Sequence, residues 1–394
     1  MKSNQNQIHE VKIERIVPNG YGIGFADGLT FFVALAAPGD IVRVRAVQKK
    51  GRSVFAEIVE VVKPSDVRVE PPCRYFGTCG GCDFQQMSYR AQLDAKSAIV
   101  LDCLRRIGKI EIDRIDIVPS PEQFGYRSRA QWHADPRQGL VGYFKRGTHD
   151  IIEVESCPIL TSELAATLAE IRDTAEWSSF WANRIKFDAA SSGAIVSVFS
   201  DELIEPTVEL DYCTAENRYS YDARSFFQGN QLLIEKLIEL AVGDETGEFA
   251  LDLYCGVGLF TLPLARRFGR VTGIESGVRA VESARRNLEN SRLKNAEIFD
   301  ESVGTWLSAN AALIAGTDFV VLDPPRSGTE RETIDVLSRV RPKRISYVSC
   351  EPSTLARDLR ILLDAGYVID SVTALDLFPQ THHVETVARL SFNG

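Results

Sequence analysis

No stretch of the 394 residues approaches the roughly 18 consecutive apolar residues of a membrane span. Met1 to Glu10 is polar and has no apolar secretory core. A cytoplasmic protein without membrane contact is therefore expected. A positive balance is missing too: 45 lysines and arginines stand against 54 aspartates and glutamates, a net charge of −9. That disfavours polyanion binding over the whole surface but leaves the matter to local patches. Internal repeats and low-complexity tracts are absent. The eight cysteines are read first as metal ligands or catalysts, because structural disulfides are rare in a reducing compartment.

The chain is too long for one core, and two or three domains are expected. Residues 1–65 read as short strands, with alternation in Val11–Ile16 and Ile41–Arg45 and a turn at Pro38-Gly39-Asp40, so a five-stranded barrel of the oligonucleotide-binding kind is expected. Up to Lys63 nine basic residues meet only six acidic ones, and Lys49-Lys50-Gly51-Arg52 forms a basic loop suited to phosphate or simply to water. Residues 66–221 form a second unit, with a cysteine-rich start, a helix from about Gln85 capped by Gly108, a helix near Ser162–Ala175 and a strand at Ile195–Val198. Residues 222–394 alternate apolar strands with helices and predict a Rossmann-like, doubly wound α/β sheet, whose ligands lie beyond the strands' carboxyl ends.

Leu251 to Gly258 runs from a strand into a glycine turn. The third glycine of a dinucleotide fingerprint is missing, which disfavours NAD and suits a nucleoside without pyrophosphate; S-adenosylmethionine is the reading, a structural turn the alternative. Glu275 ends the next strand, where a carboxylate can accept from both ribose hydroxyls. Asp318–Leu322 delivers Asp323-Pro324-Pro325-Arg326, the prolines fixing the backbone so that Asp323 points into the crevice or caps the turn. Arg344–Ser349 delivers Cys350 to the equivalent place. A thiol there has a use, because carbon 5 of uracil is too weak a nucleophile to attack a methyl sulfonium unaided. Thiolate addition at carbon 6 makes carbon 5 an enolate carbon, which takes the methyl group, and a base then removes its proton. Glu385 is the candidate base, with His382 and His383 behind it. Cys73, Cys79 and Cys82, with remote Cys157, can complete a tetrahedral sulfur site for zinc or a [4Fe-4S] cluster alike. Packing is expected for Cys103, Cys213 and Cys255.

These pieces, with Ser225-Phe226-Phe227-Gln228 and His382-His383-Val384-Glu385, resemble the RNA uracil-5 methyltransferase family over nearly the whole chain, and specifically its iron–sulfur branch, similar to bacterial 23S ribosomal RNA methyltransferases. The resemblance implies a TRAM domain as the barrel and a central α+β iron–sulfur domain with a [4Fe-4S] cluster on Cys73, Cys79, Cys82 and Cys157. It further implies that Gln228, Tyr254 and Glu275 bind S-adenosylmethionine, that Asp323 lines the cofactor and uracil pocket, and that Cys350 is nucleophile and Glu385 base. The substrate would be a uridine flipped from an RNA loop, ribosomal rather than transfer RNA, and the protein a monomer. Tyr126, Arg127 and Arg129, with Trp132 nearby, are candidates to stack on and bind the RNA strand, an ordinary surface strand with aromatics being the equal alternative. Two positions depart from the family pattern: Leu259 replaces a frequent Asn, and Glu351 replaces the Asn after the nucleophile, where its charge is expected to raise the thiol pKa. The rivals are an amino-group methyltransferase, suggested by Asp323-Pro324-Pro325, and an RNA-binding protein with an inactive methyltransferase fold.

Overall fold

Alternating apolar side chains close the first sheet. β1 (Ile8–Val17), β2 (Tyr21–Ala26), β3 (Leu29–Val33), β4 (Ile41–Lys50) and β5 (Ser53–Lys63) form a closed barrel in the order β1-β2-β3-β5-β4. Val11, Ile13, Phe31, Val33, Val42 and Val44 fill its interior. The computed structural model describes residues 7–203 and 206–392.

Asp40 ties the barrel to the strand-free segment after β5: its buried carboxylate accepts from Ala37 N at 2.7 Å, Ser65 N at 3.0 Å and Arg68 Nη2 at 2.7 Å. After the cysteine-rich loop comes α1 (Tyr89–Cys103), which continues as a wider turn over Leu104–Gly108. The expected glycine cap is not at Gly108. Lys109 takes the left-handed conformation at φ +53°, and Gly108 is small for another reason: a Cβ there would lie 2.9 Å from the carbonyl oxygen of Ala356. Next comes β6 (Asp116–Val118), followed by β7 (Arg129–Asp135), β8 (Leu140–Phe144), β9 (Ile151–Glu153), α2 (Ser162–Thr174), β10 (Ile185–Ser192) and β11 (Ile195–Phe199). β7 to β11 make an antiparallel sheet in the order β11-β10-β7-β8-β9. α2 covers it, Leu164 and Leu168 meeting Trp132, Ile185 and Phe187. A hairpin, β12 (Leu210–Cys213) with β13 (Arg218–Tyr221), leads into the last part.

That part contains α3 (Ile234–Ala241), β14 (Gly247–Leu253), α4 (Thr261–Ala265), β15 (Phe268–Glu275), α5 (Val278–Asn290), β16 (Ala296–Asp300), α6 (Val303–Ala309), β17 (Phe319–Leu322), α7 (Arg331–Val340), β18 (Arg344–Ser349), α8 (Pro352–Asp364), β19 (Tyr367–Leu375) and β20 (Glu385–Phe392). The sheet order is β16-β15-β14-β17-β18-β20-β19-β6. β17, buried on both faces, reads as an unbroken apolar run, Phe319-Val320-Val321-Leu322, while its neighbours are buried along most of their length with a few polar residues among the apolar ones. β20 runs antiparallel between β18 and β19. The eighth strand, β6, comes from the middle of the chain and pairs parallel with β19. α1 is fixed to this sheet by a fully enclosed ion pair, Lys96 with Asp376. Removing one partner would leave a buried charge uncompensated, at a cost of about 3–5 kcal/mol. Among the described residues no helix is long and apolar enough to cross a membrane.

Candidate active site

Register delivers the candidate residues to one edge. Leu253 pairs with Ile274 and Leu322, and Leu322 pairs with Tyr347. Tyr254, Glu275, Asp323 and Cys350 therefore emerge side by side beyond the carboxyl ends of β14, β15, β17 and β18. β20 enters from the opposite direction, and its pairing of Thr386 with Ser349 sets Glu385 beside Cys350.

On the cofactor side, Tyr254, Gly256 and Gly258 are left-handed, and open space lies above Gly256. Glu275 is aimed by backbone donors: Gly256 N donates to Oε2 at 3.0 Å and Gly277 N to Oε1 at 2.7 Å. Each oxygen keeps a further lone pair for a hydroxyl donor. Beneath the turn, Asp252 is enclosed, accepts from Thr261 Oγ1 at 2.5 Å and is pushed up to about 8 by burial; its other oxygen has no partner among the described residues. Open space, an oriented carboxylate and a buried acid suit a neutral ribose with a cationic group. Gln228 is buried in a segment fixed by Arg129, which donates to Ser225 O at 2.6 Å and Ala223 O at 3.0 Å. The Tyr254 hydroxyl donates to Glu330 at the start of α7.

On the reaction side, burial pushes Asp323 up to about 7. Burial, with Asp323 nearby, holds Glu385 well above the carboxylate range, while Arg326 acts the other way. One Glu385 oxygen has no hydrogen-bond partner among the described residues, so the carboxylate, once ionised, has a free oxygen with which to accept a proton. Burial pushes the Cys350 thiol up to about 12; Glu385 and Asp323 add to the rise and Arg326 opposes it. Arg326 is thus the cation that faces both sulfur and base, a placement the motif alone did not reveal. His383 is kept neutral by burial and by His382 and Arg326.

Glu351 behaves differently from the expectation. Its carboxylate turns back to cap α8, accepting from Ser353 N at 3.2 Å and Ser353 Oγ at 2.7 Å, and its charge adds to the rise of the buried Cys103 thiol, while the rise at Cys350 comes chiefly from burial, Glu385 and Asp323. The proposed RNA-stacking group is also corrected. Trp132 is fully enclosed with Nε1 donating to Tyr143 at 3.1 Å, and the buried Tyr126 hydroxyl donates to Pro379 O at 2.9 Å. Arg127 lines the cavity of the four cysteines, and Arg129 serves the Gln228 segment. Cys103 and Cys255 pack in the interior as expected, whereas Cys213 is exposed.

Cys73, Cys79, Cys82 and Cys157 line one cavity of about 130 Å³, with Arg127, Tyr143 and Gln85 in its walls. Burial raises Cys79, Cys157 and Cys82, the last to about 12. Among the described residues no three or more His, Cys, Asp or Glu side chains converge closely enough to hold a single metal ion; the four thiols stand around a space of several atoms' volume.

A family model described as tRNA (uracil-5-)-methyltransferase matches residues 190–391, and a TRAM domain model matches residues 2–59. The 23S rRNA (uracil(1939)-C(5))-methyltransferase RlmD of Vibrio parahaemolyticus is 31% identical, over 98% of this chain and 97% of its own. The chain belongs to the tRNA (uracil-5-)-methyltransferase family. RlmD of Pseudomonas putida is 30% identical over 95% of this chain and 92% of its own. Among solved structures, the Pyrococcus abyssi tRNA (uracil-54, C5)-methyltransferase in complex with S-adenosyl-L-homocysteine superposes with a TM-score of 0.76 at 26% identity, covering 96% of this chain and all of that one. The eight-stranded sheet is thus the S-adenosylmethionine-dependent methyltransferase fold of this uracil-5 family, and the barrel is its TRAM domain.

Proposed function

We propose that this chain forms 5-methyluridine in 23S ribosomal RNA, as a cytoplasmic monomer acting on a loop uridine turned out of its stack. The observation that carries the reading is the meeting of a half-buried thiol, the buried Glu385, the half-buried Asp323 and one arginine at the sheet edge, beside the glycine turn whose Gly256 faces open space. The names of the full-length relatives support the ribosomal target. Gln228, Tyr254 and Glu275 hold S-adenosylmethionine, which when bound supplies an electrophilic methyl group. Asp323 lines both halves of the pocket. Cys350 Sγ bonds to carbon 6 of the uracil, and the electron pair displaced from the ring double bond makes carbon 5 nucleophilic. Once carbon 5 is methylated, Glu385 takes its proton, the double bond re-forms and the sulfur leaves. Transfer RNA is the second reading, favoured by the Pyrococcus neighbour. Incubating the full chain with labelled S-adenosylmethionine and separate 23S and transfer RNA transcripts decides: label is expected in 23S RNA as 5-methyluridine, and label in transfer RNA alone would overturn the ribosomal reading.

Residues 66–221 form, in this reading, an iron–sulfur unit between a barrel at 1–65 and a methyltransferase unit at 222–394. Cys73, Cys79, Cys82 and Cys157 hold a [4Fe-4S] cluster, which suits a many-atom cavity walled by four thiols. Methyl transfer of this kind moves no unpaired electron, so the cluster is assigned to holding its loops in place. Protein purified without oxygen is expected to contain about four irons and four sulfides per chain, with both falling on Cys157→Ala. One zinc per chain would discard the cluster.

A further inference from the structure

The segment between β19 and β20, residues 376–384, carries Glu385 to its place, yet it is held chiefly by side chains and backbone from far upstream. Lys96 Nζ donates to Phe378 O at 3.0 Å, and Tyr126 donates to Pro379 O at 2.9 Å. Gln92 exchanges amide hydrogen bonds with Gln380, accepting from its backbone N–H and donating to its side-chain oxygen, both at 3.0 Å. Gln380 itself is left-handed at φ +69°, a conformation that needs outside support in a residue of this kind.

The tightest grip comes from the residues after Cys82. Asp83 N and Phe84 N donate to Gln380 O at 3.1 and 3.0 Å. The Asp83 carboxylate then takes His382 at two points, Oδ1 accepting from its backbone N–H at 2.8 Å and Oδ2 lying 2.5 Å from ring Nδ1. The barrel closes over this pair: Gly20, at φ +74°, is so near that a Cβ would lie 2.9 Å from His382 Cβ and 3.2 Å from Asp83 Oδ2. Three lengths of chain, the barrel turn, the cysteine loop and the segment bearing the base, therefore meet on one aspartate and one histidine. His382 stands three residues before Glu385, which opens β20 and pairs with Leu375, so a shift at the pair reaches the strand end that carries the base through two intervening residues.

We propose that Asp83 is a positioning residue for the proton-abstraction step: by its two-point grip on His382 it sets residues 376–384 and thereby the approach of Glu385 to carbon 5. This rests on the assignment of Glu385 as base. The step served is the last one, in which the Glu385 carboxylate takes the carbon 5 proton, the C–H electrons become the ring double bond and the C6–S bond breaks to give the Cys350 thiolate. A base displaced by about 1 Å leaves thiol addition and methylation intact but stalls elimination.

The full-length Asp83→Ala protein is tested with uridine-containing 23S RNA and methyl-labelled S-adenosylmethionine, alongside His382→Ala, Asp83→Asn and Glu385→Gln. His382→Ala breaks the same contact with the cysteine loop untouched, which keeps the test usable if Asp83→Ala fails to fold. Asp83→Ala and His382→Ala are expected to lower kcat about 10- to 100-fold with KM for RNA unchanged, and to accumulate a labelled protein–RNA complex stable to SDS, as Glu385→Gln does. Asp83→Asn keeps an oxygen for the backbone N–H and an amide donor for the other histidine tautomer, and is expected to restore turnover. If Glu385→Gln accumulates the complex but the two alanine variants lose turnover without it, or keep wild-type turnover, the positioning role is wrong. If Glu385→Gln accumulates none, the base assignment falls and the proposal with it.

Discussion

Replacing Cys350 by alanine is expected to lower methylation of uridine RNA by at least about four orders of magnitude, the scale seen when a covalent nucleophile is removed and only binding and orientation remain. The reason is the weakness of carbon 5: without addition at carbon 6 no electron pair reaches it. Binding of S-adenosylmethionine should survive, because Gln228 and Tyr254 lie in loops away from β18 and Glu275 ends β15. Covalent capture of RNA containing 5-fluorouridine should vanish, since that complex is the thiol adduct itself. The wild-type protein should also show the acid side of this chemistry. Burial pushes the thiol up to about 12, with Glu385 and Asp323 adding to the rise, so the thiolate fraction, and kcat/KM with it, is expected to climb with pH through the neutral range, by less than tenfold per unit where Asp323, pushed up to about 7, ionises beside it. A Cys350→Ala protein that still methylates RNA would instead fit an amino-group methyltransferase, which needs no thiol. A wild-type protein that captures no 5-fluorouridine RNA and methylates nothing would fit a binding module.

The parallel strands are legible because a strand covered on both faces is largely apolar: Phe319–Leu322 is so throughout, and Arg344–Ser349 carries its one charge at the end where the strand begins. Their ends then gave Glu275, Asp323 and Cys350 a common edge. β6 was not legible, being three residues whose partner β19 lies some 250 residues onward. The same distance hid Lys96 with Asp376 and Asp83 with His382, pairs whose meaning exists only once α1 and the cysteine loop fold over the sheet. Tyr126 to Trp132 misled for a different reason. Aromatic and basic residues alternate both on a nucleic-acid face and on a strand that buries its aromatics and spends its arginines on carbonyls, and periodicity cannot separate the two. Glu351 looked like a burden on the nucleophile, but a carboxylate preceding Pro352 at a helix start finds two nearer donors in Ser353.

Changing Glu385 to glutamine should produce the most distinctive species this protein can form. The amide is nearly isosteric with the carboxyl group and carries no charge, so the pocket keeps its shape, and the part of the rise in the Cys350 pKa that comes from ionised Glu385 is removed. Thiol addition and methylation are therefore expected to proceed. What fails is removal of the carbon 5 proton, for which the amide is too weak a base. Turnover should fall about 10²- to 10⁴-fold, the usual share of a general base. The RNA should remain joined to Cys350 through carbon 6, carrying its new methyl group, in a complex that survives SDS without any fluorinated substrate. Mass spectrometry of the digested complex should find that link at Cys350. If the variant turns over at the wild-type rate, the proton leaves by another acceptor, and Asp323, the second carboxyl acting on the thiol, becomes the residue to test. If methylation and adduct are lost together, Glu385 acts before methyl transfer, and the order of steps assigned to this pocket is wrong.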